Sequence, residues 1–390
     1  MNVADIQSKF SEVFGKTGEG IYFAPGRINL IGEHIDYNGG MVFPAAITLG
    51  TYAVVAPRKD KVIHAYSINA SNLGVIGFNL SDTVYNEAHQ WVNYIKGVAK
   101  YLQEEKGEFP HGLDILVYGN IPNAAGLSSS ASLEMLMAHI FRCTYDLDLS
   151  PVDAALLGKR VENEYIGVNS GIMDQFSISL GKKEKAILLN CNTLDYTYYP
   201  IELKGNKIII MYTNKRRALA DSKYNERRSE CDAAISKLKQ FYEFDVLCDL
   251  TLEQLEAHKE ALTEVEYKRT YHSISENTRV KEAAKALQQG KLQRFGELLK
   301  ASHISLRDDY EVSGIELDTL VETAWKEPDV VGARMTGAGF GGSAFAIVKE
   351  ESVASFIQAV GKVYKDKIGY EADFYIAEIG EGPVKLESIN

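Results

Sequence analysis

Cysteine is scarce in this chain. Cys143, Cys191, Cys231 and Cys248 are the only four, and none stands in a Cys-x-x-Cys pair. That spacing excludes a zinc ribbon, and reduced thiols of a cytoplasmic protein are the expectation. Positive charge is also short: 42 Lys plus Arg face 53 Asp plus Glu, a net charge of -11. So acidic a surface repels phosphate backbones and anionic lipid, which argues against nucleic acid and membranes as partners. It does not exclude ATP, because a local cluster of N–H groups and cations can oppose the global sign.

Targeting and membrane signals are missing as well. The first ten residues have no basic flank leading into an apolar run, so no signal peptide is expected. The longest charge-free stretch, Tyr37 to Pro57, is broken by Asn38, Gly39, Gly40, Pro44, Thr48, Gly50 and Thr51. It reads as buried strands with turns, not as a membrane span. No internal repeat or low-complexity tract occurs. Gly15-Lys16-Thr17 imitates the end of a P-loop, but position 10 is Phe and no strand precedes it. His-Arg-Asp and Asp-Phe-Gly signatures do not occur either.

What is present suits two domains: 390 residues, 45% of them hydrophobic. Periodicity predicts a helix over 6–14 and strands at 21–24, 41–47, 52–57 and 62–67. A helix at 89–104 and a strand at 113–118 follow. A serine run then opens a helix in which Leu133, Leu136, Met137, Ile140 and Phe141 share one face. Residues 151–165 read as helix, 185–190 and 207–213 as strands, and 217–310 as successive helices. A strand at 342–348, a helix at 352–364 and a strand at 370–378 complete the chain. The class is α+β in two halves, 1–205 and 206–390, with Pro200 and Gly205 at the break.

Two loops carry small residues in excess. Gly337, Gly339 and Gly342 spell G-x-G-x-x-G, but they run into a strand and not a helix, so a dinucleotide fold does not follow. The loop Met335–Gly342 nevertheless needs backbone that approaches something closely or turns through positive φ. Asn123 to Ser132 leads straight into the amphipathic helix. There, unpaired first-turn N–H groups and the helix dipole form an anion site, and serine hydroxyls can add hydrogen bonds or ligate Mg²⁺.

Ala24-Pro25-Gly26-Arg27-Ile28-Asn29-Leu30-Ile31-Gly32-Glu33-His34-Ile35-Asp36-Tyr37-Asn38-Gly39-Gly40 resembles the galactokinase signature nearly residue for residue. With the serine loop and the Thr336–Gly342 loop it gives the three ordered motifs of the galactokinase, homoserine kinase, mevalonate kinase and phosphomevalonate kinase (GHMP) superfamily. Gly171-Ile172-Met173-Asp174-Gln175-Phe176 resembles the family's catalytic segment, and Ser222 to Arg228 its later sugar-contacting segment. Ile28 and Ser170 depart mildly from the family pattern.

The resemblance implies a two-domain α+β GHMP-kinase fold with its active site between the domains. It implies ATP as co-substrate, Mg²⁺, and galactose as acceptor, committing the sugar to breakdown through galactose 1-phosphate. Asp174 would serve as base and Arg27 would stabilise the transferring phosphoryl group. Glu33, His34, Ile35, Asp36 and Tyr224 would contact the sugar. Ala124, Ala125, Gly126, Leu127, Ser128, Ser129 and Ser130 would hold the triphosphate, with Ser67 touching the nucleotide. Ser130 and Glu162 would ligate Mg²⁺. No obligate protein partner is implied. An N-acetylgalactosamine kinase and a non-catalytic galactose sensor are the alternatives. Against the sensor stand the unbroken Ser128–Ser132 run and the presence of Asp174.

Overall fold

The computed structural model describes residues 1–122, 125–215 and 220–386. In chain order the first half contains α1 (Val3–Phe14), β1 (Gly20–Asn29), β2 (Met41–Val42), β3 (Pro44–Pro57), β4 (Val62–Ser67), β5 (Ile76–Asn79) and α2 (Val92–Lys106). Then come β6 (Leu113–Gly119), α3 (Ser129–Tyr145), α4 (Pro151–Arg160), α5 (Met173–Ser179), β7 (Lys185–Asn190) and β8 (Tyr196–Pro200). The second half contributes β9 (Asn206–Tyr212), α6 (Ala220–Leu238), α7 (Leu252–Ala257), α8 (Glu264–Gln288), α9 (Leu292–Asp308) and α10 (Ile315–Ala324). It closes with β10 (Val330–Thr336), β11 (Ser343–Lys349), α11 (Val353–Ile368), β12 (Asp373–Ala377) and β13 (Val384–Leu386).

Among the described residues the strands form three sheets, in the orders β13-β1-β3-β6-β4-β5, β10-β11-β9-β12 and β2-β7-β8. Apolar faces explain the layering. α2, α3 and α4 bury Ile95, Leu136, Phe141 and Leu157 with Ile115 and Val117 of the first sheet. α8 to α11 bury Ile274, Leu306, Leu320 and Phe356 with Met211 and Ala346 of the second. A further core joins Ile28 and Phe43 from the first half to Val280, Leu299 and Phe345 from the second. The halves thus share buried surface, and β13 returns to pair with β1. Among the described residues no helix is long and apolar enough to cross a membrane.

Two departures from periodicity matter for the site. The strand expected at 21–24 continues to Asn29, because a register shift between Pro25 and Gly26 lets it bend without ending. The helix expected over 151–165 is α-helical only to Arg160; Val161–Ile166 widens into a π-helical turn. Such turns displace side chains from helical register, and here Glu162 is the residue affected. The hairpin strand β10, the helix α10 and the short strands β5, β8 and β13 carry no distinct period and escape the sequence reading.

Candidate active site

The bent end of β1 aims Arg27 inward. Its Nε donates to Asp174 Oδ1 at 2.7 Å and its Nη2 to Asp174 Oδ2 at 2.9 Å, while Nη1 donates to the Gly126 carbonyl at 2.7 Å. One guanidinium therefore ties the first turn of α5 to the loop before α3. That fork geometry is specific to arginine. Asp174 keeps 31% of its side chain exposed, against 5% for Arg27.

Ser128 adds a second link. As N-cap of α3 it has left-handed backbone, φ 59°, and its hydroxyl makes no capping bond. The hydroxyl instead donates to Asp174 Oδ2. The helix's first N–H groups are thereby left facing the loop, as an anion site requires. Next in the turn, Ser130 Oγ donates to Glu162 Oε1 at 3.0 Å. Burial pushes the Glu162 carboxyl up, opposed first by a hydrogen bond from the Ser170 hydroxyl. One carboxylate with one hydroxyl, both oxygen donors, suits Mg²⁺, which takes few protein ligands besides phosphate and water. No group of three or more His, Cys, Asp or Glu suited to a metal occurs among the described residues.

On the other side of Asp174 lies a cleft of about 360 Å³, lined by Arg27, Glu33, His34, Asp36, Glu162 and Tyr224 together with neighbouring backbone. Gly171 makes one wall: a Cβ there would fall 1.9 Å from Asp36 Oδ2, so only glycine leaves that carboxylate its place. Burial, reinforced by the nearby Asp174, pushes Asp36 up to about 6. Glu33 is 1% exposed. It accepts from the Gly337 N–H at 2.6 Å and from the Asn29 amide. Asn29 N–H also meets Thr336 Oγ1 at 3.2 Å, so the ends of β1 and β10 are fastened together across the two halves.

His34 sits at φ 62°, and its protons can be assigned. Its Nε2 faces the Ala338 carbonyl at 3.1 Å, which only accepts, so Nε2 carries the hydrogen. Burial holds the ring neutral, its pKa down to about 3. Nδ1 then accepts from Tyr37 Oη at 2.9 Å, Tyr37 accepts from Tyr310 at 2.9 Å, and Tyr310 accepts from Cys231 at 3.2 Å. Both ring nitrogens are thus engaged. His34 lines the cleft but spends its polarity on holding the glycine-rich hairpin. Gly337, Gly339, Gly341 and Gly342 of that hairpin all have positive φ.

The expected residues divide as follows. Arg27, Glu33, His34, Asp36, Asp174, Tyr224 and Glu162 converge on the cleft, with Ser128 and Ser130 bonded at its edge. The Ile35 side chain is 0% exposed and packs in the shared core, so it brings no polar group to the cleft. Ala125 and Leu127 are buried and offer backbone; the Leu127 carbonyl accepts from Arg27 N–H at 3.3 Å. Ser129 is exposed in the first turn of α3. Ser67 ends β4 and is buried outside the cleft lining. Ala124 lies outside the described residues. Sequence reasoning overlooked Ser170, Tyr37 and Ala338. Each left a signal by position: Ser170 as the neighbour of Gly171, Tyr37 within the signature and Ala338 within the glycine-rich loop.

Comparison with known proteins gives a consistent result. Residues 8–57 match the galactokinase galactose-binding signature, residues 93–182 the GHMP kinases N terminal domain and residues 283–366 the GHMP kinases C terminal domain. A galactokinase of Clostridium perfringens is 57% identical over 387 residues, 99% of this chain and 100% of the relative. One from Lactiplantibacillus plantarum is 52% identical over 387 residues, again 99% and 100%. The crystal structure of Lactococcus lactis galactokinase complexed with galactose superposes with a TM-score of 0.96 at 49% identity, covering 98% of this chain and 100% of that one. The Methanococcus jannaschii mevalonate kinase, at 21% identity and TM-score 0.65 over 93% of this chain and 99% of its own, shares the fold.

Proposed function

Because the chain belongs to the galactokinase family of GHMP kinases, we propose that its cleft passes the γ-phosphoryl group of ATP to the anomeric hydroxyl of galactose, giving galactose 1-phosphate and ADP. The chain is an ATP-dependent sugar kinase. The observation that carries the assignment of roles is the joint hold of Arg27 and Ser128 on Asp174. It puts a carboxylate facing the cleft in direct contact with the loop that opens α3.

Phosphoryl transfer needs alignment and charge relief more than covalent help. The triphosphate rests on Ala124 to Ser130 and the free N–H groups of α3, with Ser67 toward the nucleotide. Ser130 and Glu162 would hold Mg²⁺, which when bound would neutralise charge on the phosphates. Galactose occupies the cleft, its hydroxyls paired with Glu33, Asp36 and Tyr224. Asp174 accepts the anomeric proton as that oxygen bonds to phosphorus and the bond to ADP breaks. Arg27 keeps Asp174 oriented and lends positive charge to the transferring group. Residues 1–205 and 206–390 are the two halves that enclose this space. Buried carboxylates that lose a partner hydroxyl penalise the wrong sugar heavily.

Purified protein supplied with MgATP should release ADP only when galactose is added, with galactose 1-phosphate as product. Galactose binding without ADP release would mark a sensor. Preferential turnover of N-acetylgalactosamine in competition would reassign the acceptor.

A further inference from the structure

Arg334 is buried with no hydrogen bond to offset its charge. It lies in β10, is 0% exposed, and none of its Nε, Nη1 and Nη2 atoms makes a hydrogen bond. A guanidinium does not shed its proton, so this is a permanent buried charge. Leaving such a charge unbonded is strongly unfavourable. The carboxylate it meets is Glu33, with Nη2 3.6 Å from Oε1. At 3.6 Å the contact is electrostatic, not a hydrogen bond.

That distance has a use. An ionised carboxylate offers about four acceptor positions. Gly337 N–H and the Asn29 amide take one on each Glu33 oxygen. A hydrogen-bonding cation would consume more and leave less for a ligand. Arg334 opposes the charge of Glu33 from behind and occupies none of them.

We propose that Arg334 is a positioning residue for sugar recognition: it supplies the positive charge that keeps Glu33 an anion while leaving its cleft-facing acceptor sites to a sugar hydroxyl. The inference rests on the reading that Glu33 contacts galactose. Burial raises the Glu33 carboxyl, and Arg334 opposes that rise ahead of Arg27 on β1. The other charged or titratable groups facing this cluster are His34 and Asp36 on the same loop, His272 and Glu276 on α8, and on α9 the buried His303, which burial holds neutral and whose Nδ1 accepts from the Met335 N–H. His272 is held down to about 4, its Nε2 bonded to the Glu33 carbonyl. Glu276 is held to about 2 by Arg279 first, and its Oε1 is engaged by Gly32 N–H and Ser302. His272 stays neutral between pH 5.5 and 8.5 and Glu276 is an anion there, so neither supplies the positive charge that Arg334 does.

The test is galactose affinity by calorimetry from pH 5.5 to 8.5, with ATP affinity measured alongside. In Arg334→Met, galactose binding should weaken at least tenfold at pH 6 and recover as pH rises, with ATP binding unaltered. Arg334→Lys should restore the profile of the unmodified enzyme. An affinity loss equal at every pH, or shared by ATP, would overturn the proposal and leave Arg334 a structural residue. Should Arg334→Met not fold, carbon NMR of labelled glutamate in the unmodified enzyme, assigned by Glu33→Gln, reads the same quantity. Glu33 should be ionised at pH 7; a protonated Glu33 there overturns the proposal. Normal galactose binding by Glu33→Gln would instead remove Glu33 from the sugar site, a failure of the functional reading that the NMR result does not share.

Discussion

Arg27 and Asp174 meet through two parallel hydrogen bonds of 2.7 and 2.9 Å, although 147 residues separate them in the chain. Replacing Asp174 by Asn keeps the shape and removes the acceptor charge. Turnover should then fall by about 10²–10⁴, the usual contribution of a general base, while galactose binding by calorimetry persists. Arg27→Lys cannot form the fork and should lose activity although its charge is kept. Near-normal turnover in Asp174→Asn would remove it from the chemistry.

Glu162 is held between Ser130 and Ser170. Glu162→Gln should shift the Mg²⁺ concentration for half-maximal activity upward by about tenfold or more, as loss of even an outer partner does at metal sites. A Mg²⁺ titration superimposable on that of the unmodified enzyme would refute the ligand role.

Asp36 combines a cost in stability with a use in binding. Its folded carboxyl, at about 6, lies above the ordinary 3.8. The folded state therefore holds that proton more tightly, and the stability this gives is present at low pH and lost as pH rises toward 6. Above pH 6 the buried anion remains a burden. Asp36→Asn should raise the thermal midpoint at pH 7.5 by about 2–4 °C and weaken galactose binding about tenfold or more. A lower midpoint would show that Asp36 is stabilising, contrary to this account.

Gly337 has φ +82°, and a Cβ there would fall 2.6 Å from the Gly126 carbonyl. Gly337→Ala should cost about 1–2 kcal/mol from backbone handedness alone, read by urea unfolding. It should also raise the KM for ATP, because Gly126 belongs to the loop assigned to phosphate. An unchanged KM would separate the hairpin from nucleotide binding.

The sequence carried a good deal of this without help. The helix after the serine run was legible because Leu133, Leu136, Met137, Ile140 and Phe141 repeat at helical spacing, and α3 follows that face. The signature from Ala24 to Gly40 was legible as a run of residue identities, and its Arg27, Glu33, His34, Asp36 and Tyr37 do gather at one cleft. The bend at Gly26 and the π-helical turn at Glu162 were not legible, since both depend on what packs against them.

Residue order alone settled the membership of this chain in its family and the helices and strands with a clear period, because those depend on neighbours within a few positions. Folding decided the rest. Whether His34 touches sugar or braces the hairpin depends on Tyr37, Tyr310 and Ala338, the last 304 residues away. Whether Arg334 is a surface charge or a buried one depends on the core that closes around β10. Charge, proton position and burial are set by contacts between distant segments, and no local pattern records them.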